Sequence, residues 1–587
     1  MYYSNKMAAL LTAIDNFTSK QTGENGHTEY GWSNNIREKI VQFSFQLTRT
    51  SSENIDNLKF NLYSILLELN NKIRSLNIYD RETGREYLSI MYKMIGQTRD
   101  IIDGKGEYAL TYMMIHTWHS FFPELAFYAI KCLVDFGDEG KTHQYGSWKD
   151  IKYFCEYCKD QGETVENPLV MYCVKLLNEQ LRKDSYSQDQ SISLASRWAP
   201  REKSKFAWIY SALACDYFSN YMETAKTEKS MKMASLKCMT DYRKLLGKLN
   251  RKLDTLQIKQ CGKTWSDIEF NKVTSISLSK QKKAFLNIKS DNSQRSDETD
   301  RIECANHFRE HIQKAVRGEV VMKGKRVGME IFTKQAIELL ESSYYSDAEQ
   351  REAQIDLLNS QWEDNSSLTG SLEKMVAMVD VSGSMEGAPL HAAIALGIRV
   401  AEKSSLGRRV MTFSSYPEWC NLEDKTDFFS MVRTVKNTNW GMNTNIYAAL
   451  DKMLDAIIEA KLSPEEVEGM ILAIFSDMQI DSTDNGMSLF SNIEEKYSDT
   501  GIRLHGKPFK PPHILFWNLR STSGFPSLST QPNVSMMSGF NTPLLNLFCE
   551  KGMSAFESCT PWSMLLQSLE NPRYKMMRDK LDEIIYE

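Results

Sequence analysis

The chain has 587 residues, 42% of them hydrophobic and 25% charged, with a formal net charge of -5 at pH 7. That length exceeds what one hydrophobic core organises, so two or three domains of ordinary globular composition are expected. An acidic chain is no polycation, so any nucleic-acid surface must be a local patch.

The eleven Cys are scattered without a dense framework, which predicts reduced thiols in a cytoplasmic protein. Cys155 and Cys158 are the one close pair. They lack a second pair at zinc-site spacing and sit among Tyr153, Phe154 and Tyr157, so neither a zinc site nor thioredoxin-like chemistry is expected. The N-terminus MYYSNKMAALLTAI has no signal-peptide pattern, and no stretch reaches eighteen apolar residues. No membrane insertion is expected.

In chain order, residues 31–250 read as helix after helix. Leu58, Phe60, Leu62, Leu66, Leu67 and Leu69 recur at roughly helical spacing, with no strand-like alternation. Residues 108–132 form a long apolar and aromatic run, with a bend at His119 and Ser120 and a new helix starting at Pro123. Residues 171–181 and 206–218 continue the pattern. Polar breaks fall at 134–149, 185–191 and 287–300, the last read as a flexible surface segment. A helical bundle or solenoid is expected.

The character changes near residue 371. LEKMVAMVD is an apolar run ending at Asp380, as a buried parallel strand does. A helix is expected over 390–402, a strand over 408–415, a helix over 444–460, and strands over 470–475, 513–517 and 534–537. Such alternation means an open α/β sheet. The expected layout is therefore multidomain, α plus α/β, with a helical domain over 1–370 and a Rossmann-like domain with a mostly parallel sheet over 371–587.

Polar residues gather just past the strand ends, where such sheets place ligands. Asp380, Ser382 and Ser384 form a DxSxS loop after the first strand, with Gly383 allowing the turn and Pro389 suiting the first turn of the next helix. Thr444 precedes an amphipathic helix, and Asp477 ends the strand MILAIFS. Three hydroxyls and two carboxylates give a hard divalent cation the oxygen ligands it requires. Mg²⁺ suits the set, with Mn²⁺ or Ca²⁺ as alternatives. Ser382, Ser384 and Thr444 are expected to touch the metal, and Asp380 and Asp477 to bind it directly or through water. An open position would accept a carboxylate from a partner. The structural alternative is that the serines cap the next helix and the aspartates cap strand ends.

This constellation, in VAMVDVSGSM, GMNTNIYAAL and LAIFSDMQ, resembles the metal-ion-dependent adhesion site of von Willebrand factor A-type (vWA) domains. Family members often carry Gly-Gly-Thr at the second element. Here Met442-Asn443-Thr444 keeps the Thr and replaces the preceding Gly. Further segments resemble the DUF2828 family. They are TGENGHTEY (22–30), TRDIIDGKGE (98–107), LASRWAPREKS (194–204), DYRKLLGKLN with the following LDTLQ (241–257), FWNLR (516–520) and SGF (538–540). That family is similar in layout to the Ro (TROVE) ribonucleoproteins, which pair a ring of helical repeats with an A-type domain and bind structured RNA. The resemblance implies a HEAT-like helical array and raises structured RNA as a partner.

A local basic bias stands beside that implication. Between 243 and 289 lie Arg243, Lys244, Lys248, Arg251, Lys252, Lys259, Lys263 and five further Lys, against Asp254, Asp267 and Glu269. Aromatics are sparse there, so no base-stacking platform is evident, and a solvated basic face is the alternative. Arg197, Trp198, Arg201, Glu202 and Lys203 form a compact charged group before an expected helix starting at Pro200. Arg197 and Arg201 are candidate phosphate contacts or structural ion-pair partners. Arg99, Asp100, Lys105 and Glu107 pose the same choice. No phosphate loop, HExxH or GxSxG pattern occurs, so a non-enzymatic binding protein is expected. It would bind RNA through the helical domain, or an acidic protein partner through the cation. Abundant Asn, Ile, Lys and Tyr fit an AT-rich, viral genome, and virion association is the matching expectation.

Overall fold

Uninterrupted apolar runs fold as strands covered on both faces, because a parallel sheet packed between helices has no solvent side. The computed structural model describes residues 20–137, 142–188, 191–342, 348–441, 443–481, 489–549 and 559–586. The N-terminal segment read for a leader and Met442 lie outside the described residues. The strands are β1 (Lys20–Thr22), β2 (Thr28–Tyr30), β3 (Met375–Asp380), β4 (Arg409–Phe413), β5 (Glu418–Asn421), β6 (Ile471–Ser476), β7 (His513–Asn518) and β8 (Val534–Ser538). The larger sheet has the order β5-β4-β3-β6-β7-β8. All its neighbours run parallel except β5, which is an antiparallel edge on β4. Every residue of β3, β6, β7 and β8 is buried.

The five parallel strands stand close to where the apolar runs predict them. The edge strand β5 and the β1–β2 hairpin have no counterpart in the sequence reading. Both are short, and neither carries an apolar run.

The chain divides into two compact units that interleave along the sequence. The first comprises Met1–Ile65, Asn271–Ser296 and Ala305–Arg573. It is the α/β region. The second comprises Leu66–Phe270, Asp297–Cys304 and Tyr574–Glu587, and is helical. The cut expected at residue 370 therefore falls inside the first unit. Its reason is packing. The helices Met329–Glu341 and Ala348–Ser366 place Phe332, Ala336, Leu358 and Trp362 in one buried cluster with Ala377, Val379, Phe428 and Phe475. Trp362 stacks on Phe428 with ring centroids 3.9 Å apart and donates through Nε1 to Glu402 at 2.9 Å.

In the helical unit, the helices from Ile78–Arg99 through Glu228–Leu253 pack on others near them in the chain, as Tyr108–His119 does on Ile78–Arg99, Pro123–Cys132 and Trp148–Asp160. The expected bend is a true break, with helices Tyr108–His119 and Pro123–Cys132. The C-terminal helix Lys575–Tyr586 packs against Ile78–Arg99 in this unit rather than against the sheet. One further expectation is corrected. Pro200 does not begin a helix. The short helix Ala195–Trp198 precedes it and the next regular turn is Ala207–Ile209. The segment 287–300, expected as a surface loop, carries hydrogen bonds from Asn287 Nδ2 to the Ser296 carbonyl (2.8 Å) and from the Arg295 N–H to the Asn287 carbonyl (2.8 Å).

Among the described residues no helix is long and apolar enough to cross a membrane. All eleven cysteines are free. Cys155 and Cys158 are buried on the helix Trp148–Asp160.

Candidate functional site

β3 and β6 are adjacent and parallel, with Val379 opposite Phe475. Asp380 and Ser476 are therefore side by side at the C-terminal edge of the sheet, and Asp477 follows in the next position. Ser476 Oγ donates to Asp380 Oδ2 at 2.6 Å, and the Ser382 N–H donates to Asp380 Oδ1 at 3.0 Å. The hydroxyls of Ser382 and Ser384 are 3.2 Å apart. The loop's left-handed residue is Gly387, at φ 94°, rather than Gly383. It caps the helix Ala388–Lys403, on which Pro389 occupies the first turn.

Thr444 reaches the same edge from the loop before the helix Ile446–Glu459. Two neighbours fix it. The Thr444 N–H donates to Asp481 Oδ2 at 3.1 Å, and the Asp481 N–H donates back to the Thr444 carbonyl at 3.2 Å. The next N–H, of Asn445, bonds the Ser414 carbonyl at the end of β4 at 3.0 Å. Close approach to β4 also explains Gly441, where a Cβ would stand 2.7 Å from Ser415 Oγ. The β1–β2 hairpin borders the loop after β6. Asn25 Nδ2 donates to the Gln479 carbonyl at 2.8 Å, and Gln479 Nε2 donates to Glu24 at 2.6 Å.

The electrostatics of this edge are unusual. Asp380 and Asp477 are fully buried and Thr444 is 1% exposed. Burial pushes the Asp380 carboxyl up to about 7. The Asp477 charge adds to that, and hydrogen bonds from Ser382 and Ser476 oppose it. Burial also raises Asp477, against the Gln479 N–H, the Ser384 hydroxyl and the Arg520 charge. Two oxygens, Thr444 Oγ1 and Asp477 Oδ2, are buried with no hydrogen-bond partner among the described residues. Other buried polar atoms also lack a partner among the described residues, and these two are set apart by lying at the sheet edge that carries Asp380, Ser382 and Ser384. Among the described residues no group of three or more His, Cys, Asp or Glu is placed to hold a metal. The candidate donor set is of another kind, two carboxylates and three hydroxyls, and its unpartnered oxygens fit a hard cation.

Sequence reasoning missed Ser476, Asp481 and Arg520 here. Ser476 was findable, because a residue pairing beside Asp380 in a parallel register must touch it. Asp481 carries no comparable signal.

The basic candidates separate into paired and unpaired groups. Arg243 pairs with Glu202 (3.1 Å), Lys244 with Asp241 (3.3 Å), Lys259 with Asp254 (3.3 Å) and Lys263 with Glu298 (3.4 Å). Lys252 donates to the Ser187 carbonyl at 2.8 Å, and Arg201 to the Ser196 carbonyl at 3.1 Å. Arg197, Lys248 and Arg251 have no ion-pair partner among the described residues. Arg197, Arg201, Arg243 and Arg251 line one groove; Lys244, Lys248, Lys252, Lys259 and Lys263 lie outside it. Arg99 is structural. It is buried and holds Asp150 through two bonds of 2.6 and 2.9 Å, with Tyr112 donating to the same carboxylate at 2.7 Å. This network joins the helices Ile78–Arg99, Tyr108–His119 and Trp148–Asp160.

With this geometry in place, similarity to known families can be assigned by segment. Residues 169–366 match the family described as domain of unknown function DUF2828. Residues 374–580 match a different one, domain of unknown function DUF7788. The DUF2828 match covers the middle of the chain, part of the span over which that resemblance was expected. The chain is also 29% identical over 507 residues to "Uncharacterized protein L728" of Acanthamoeba polyphaga mimivirus, covering 82% of this chain and 79% of that protein.

Proposed function

We propose that the α/β unit is a vWA-type binding module. In this reading Asp380, Ser382, Ser384, Thr444 and Asp477 hold Mg²⁺, with Mn²⁺ or Ca²⁺ able to replace it. The cation then takes an acidic side chain of a protein partner in its open position. The observation that carries the reading is the pair of buried, unpartnered oxygens, Thr444 Oγ1 and Asp477 Oδ2. A purely structural role for these residues would leave unsatisfied acceptors that cost about 1–3 kcal/mol each, whereas a cation gives both a partner. In this reading both carboxylates are taken up by the cation, so the role is binding rather than catalysis.

Mg²⁺ that binds only the folded state should raise the melting temperature of the full chain, by a few degrees at about a hundred times its Kd. The rise should disappear in Asp477→Asn and with chelator. An equal rise in the variant would remove the reading.

A second component concerns the helical unit, read as a HEAT-like array of Ro-like layout that binds structured RNA. It is favoured by the helix Glu228–Leu253, where Arg243, Lys244, Lys248, Arg251 and Lys252 are all exposed. RNA retained by the full chain should be released steeply with salt; salt-independent retention, or none at low salt, would count against it. The mimivirus relative supports a viral setting, for which virion association is the corollary, detectable by proteomics of purified particles.

A further inference from the structure

Among the described residues of the helical unit, three cations without an ion-pair partner stand close together. Lys152 lies on the helix Trp148–Asp160, Arg197 on the helix Ala195–Trp198, and Arg251 on the helix Glu228–Leu253. With Arg201, Arg243 and Trp198 they line a groove of about 600 Å³. None of Lys152, Arg197 and Arg251 has a carboxylate within ion-pair distance among the described residues. The nearby acids are engaged elsewhere. Glu202 accepts from Arg243 at 3.1 Å, and Glu156 accepts from Trp208 Nε1 at 3.1 Å.

Lys152 and Arg197, with the neighbouring Lys205, rest on aromatic faces instead. Lys152 Nζ is 4.9 Å from the Trp198 ring centre and 4.9 Å from that of Phe206. Arg197 lies over Trp198 at 5.4 Å, and Lys205 over Phe206 at 4.8 Å. Such contacts position a cation without neutralising it. Burial, then the charges of Lys149, Arg201 and Lys205, bring the Lys152 ammonium down to about 8. Like charges held this close are unfavourable in the free chain, and an anion in the groove would relieve the repulsion.

We propose that this groove binds the phosphate groups of a nucleotide, carried on a single-stranded stretch of the structured RNA. Fixed guanidiniums suit phosphate oxygens bidentately. The volume matches one or two nucleotides and is typical of a ligand site, but is far too small for a duplex. The proposal deepens the RNA reading by placing its contact at Lys152, Arg197 and Arg251, and Lys152 is a residue that the sequence pattern alone did not single out. A free nucleotide carries the same phosphate chemistry, so both forms must be tested.

The experiment is fluorescence anisotropy on the full chain, with a labelled twelve-residue oligouridylate and, separately, a fluorescent ATP analogue. The wild type is compared with the double variant Arg197→Gln/Arg251→Gln, with Lys152→Met, and with Lys232→Gln, an exposed position on the same helix outside the groove. The expected result is oligouridylate binding that weakens at least tenfold in the double variant and in Lys152→Met and changes less than twofold in Lys232→Gln. The slope of log affinity against log salt should fall by about 0.7 for each phosphate contact removed. Melting temperatures guard against misfolding. A site held for a ligand predicts that Lys152→Met melts no lower than wild type, and a purely structural cluster predicts that it melts lower. Nucleotide binding without oligouridylate binding would keep the groove and remove the RNA. Groove variants that bind both probes like wild type would overturn the groove and leave the RNA reading standing. A wild type that binds neither probe at low salt would overturn both.

Discussion

Lys105 shows how one buried charge becomes a measurable property of the whole chain. Its side chain is 5% exposed, in the turn after the helix Ile78–Arg99. Burial brings its ammonium down to about 7, with the Glu107 charge opposing. The unfolded chain, with an ordinary lysine near pKa 10.4, holds that proton more tightly. Lys105 therefore lowers stability at pH 7, and the penalty is relieved as pH rises from about 7 towards 10.4. Urea unfolding at pH 7.5, 8.5 and 9.5 should show wild type gaining on Lys105→Met by up to about 1.4 kcal/mol per pH unit. Parallel curves for the two proteins would refute this. The same residue-level reading separates Arg99 from Arg197. The first is locked in two bonds to a buried carboxylate, while the second has no ion-pair partner among the described residues. Sequence alone grouped them as equal alternatives, because spacing reports that charges are near one another and not whether a carboxylate three helices away closes on them.

At the level of elements, the helices Met329–Glu341 and Ala348–Ser366 carry the clearest lesson. They belong to the α/β unit because Trp362 fills the space between Phe332, Phe428 and the fully buried Arg399, whose guanidinium lies 4.0 Å from the indole centre. Trp362→Ala should destabilise that unit by about 3–5 kcal/mol through lost burial and the cavity left behind, read as a lower urea midpoint. A loss below 1 kcal/mol would mean that the indole is not part of that core. The strands themselves were legible, since an apolar run ending in Asp or Ser-Asp has few other uses. The cut between units was not, because helix periodicity gives the buried face and leaves its neighbour unnamed. The C-terminal helix Lys575–Tyr586 failed for the same reason: its amphipathic stripe fits a sheet or a helix equally, and it packs on Ile78–Arg99. The edge strand β5 is set by pairing with β4, which no local pattern encodes.

For the whole molecule, the two proposed activities fall on two different units. The α/β unit presents buried oxygens at one sheet edge, and the helical unit presents unpaired cations around a groove. Most of the first candidate site could be read from sequence, because Asp380, Ser382, Ser384 and Asp477 lie at or just past strand ends, where pattern and position coincide. The second could not. Lys152, Arg197 and Arg251 come from three helices, and only folding puts them side by side. The binding role proposed for the α/β unit requires that Asp380, Ser382, Ser384, Thr444 and Asp477 hold a cation. The most direct test is titration of the full chain with Mn²⁺ followed by electron paramagnetic resonance, counting bound ions in wild type and in Asp380→Ala. One bound Mn²⁺ that Mg²⁺ displaces and Asp380→Ala abolishes is the result expected. No bound ion in wild type, or equal binding in the variant, would contradict it.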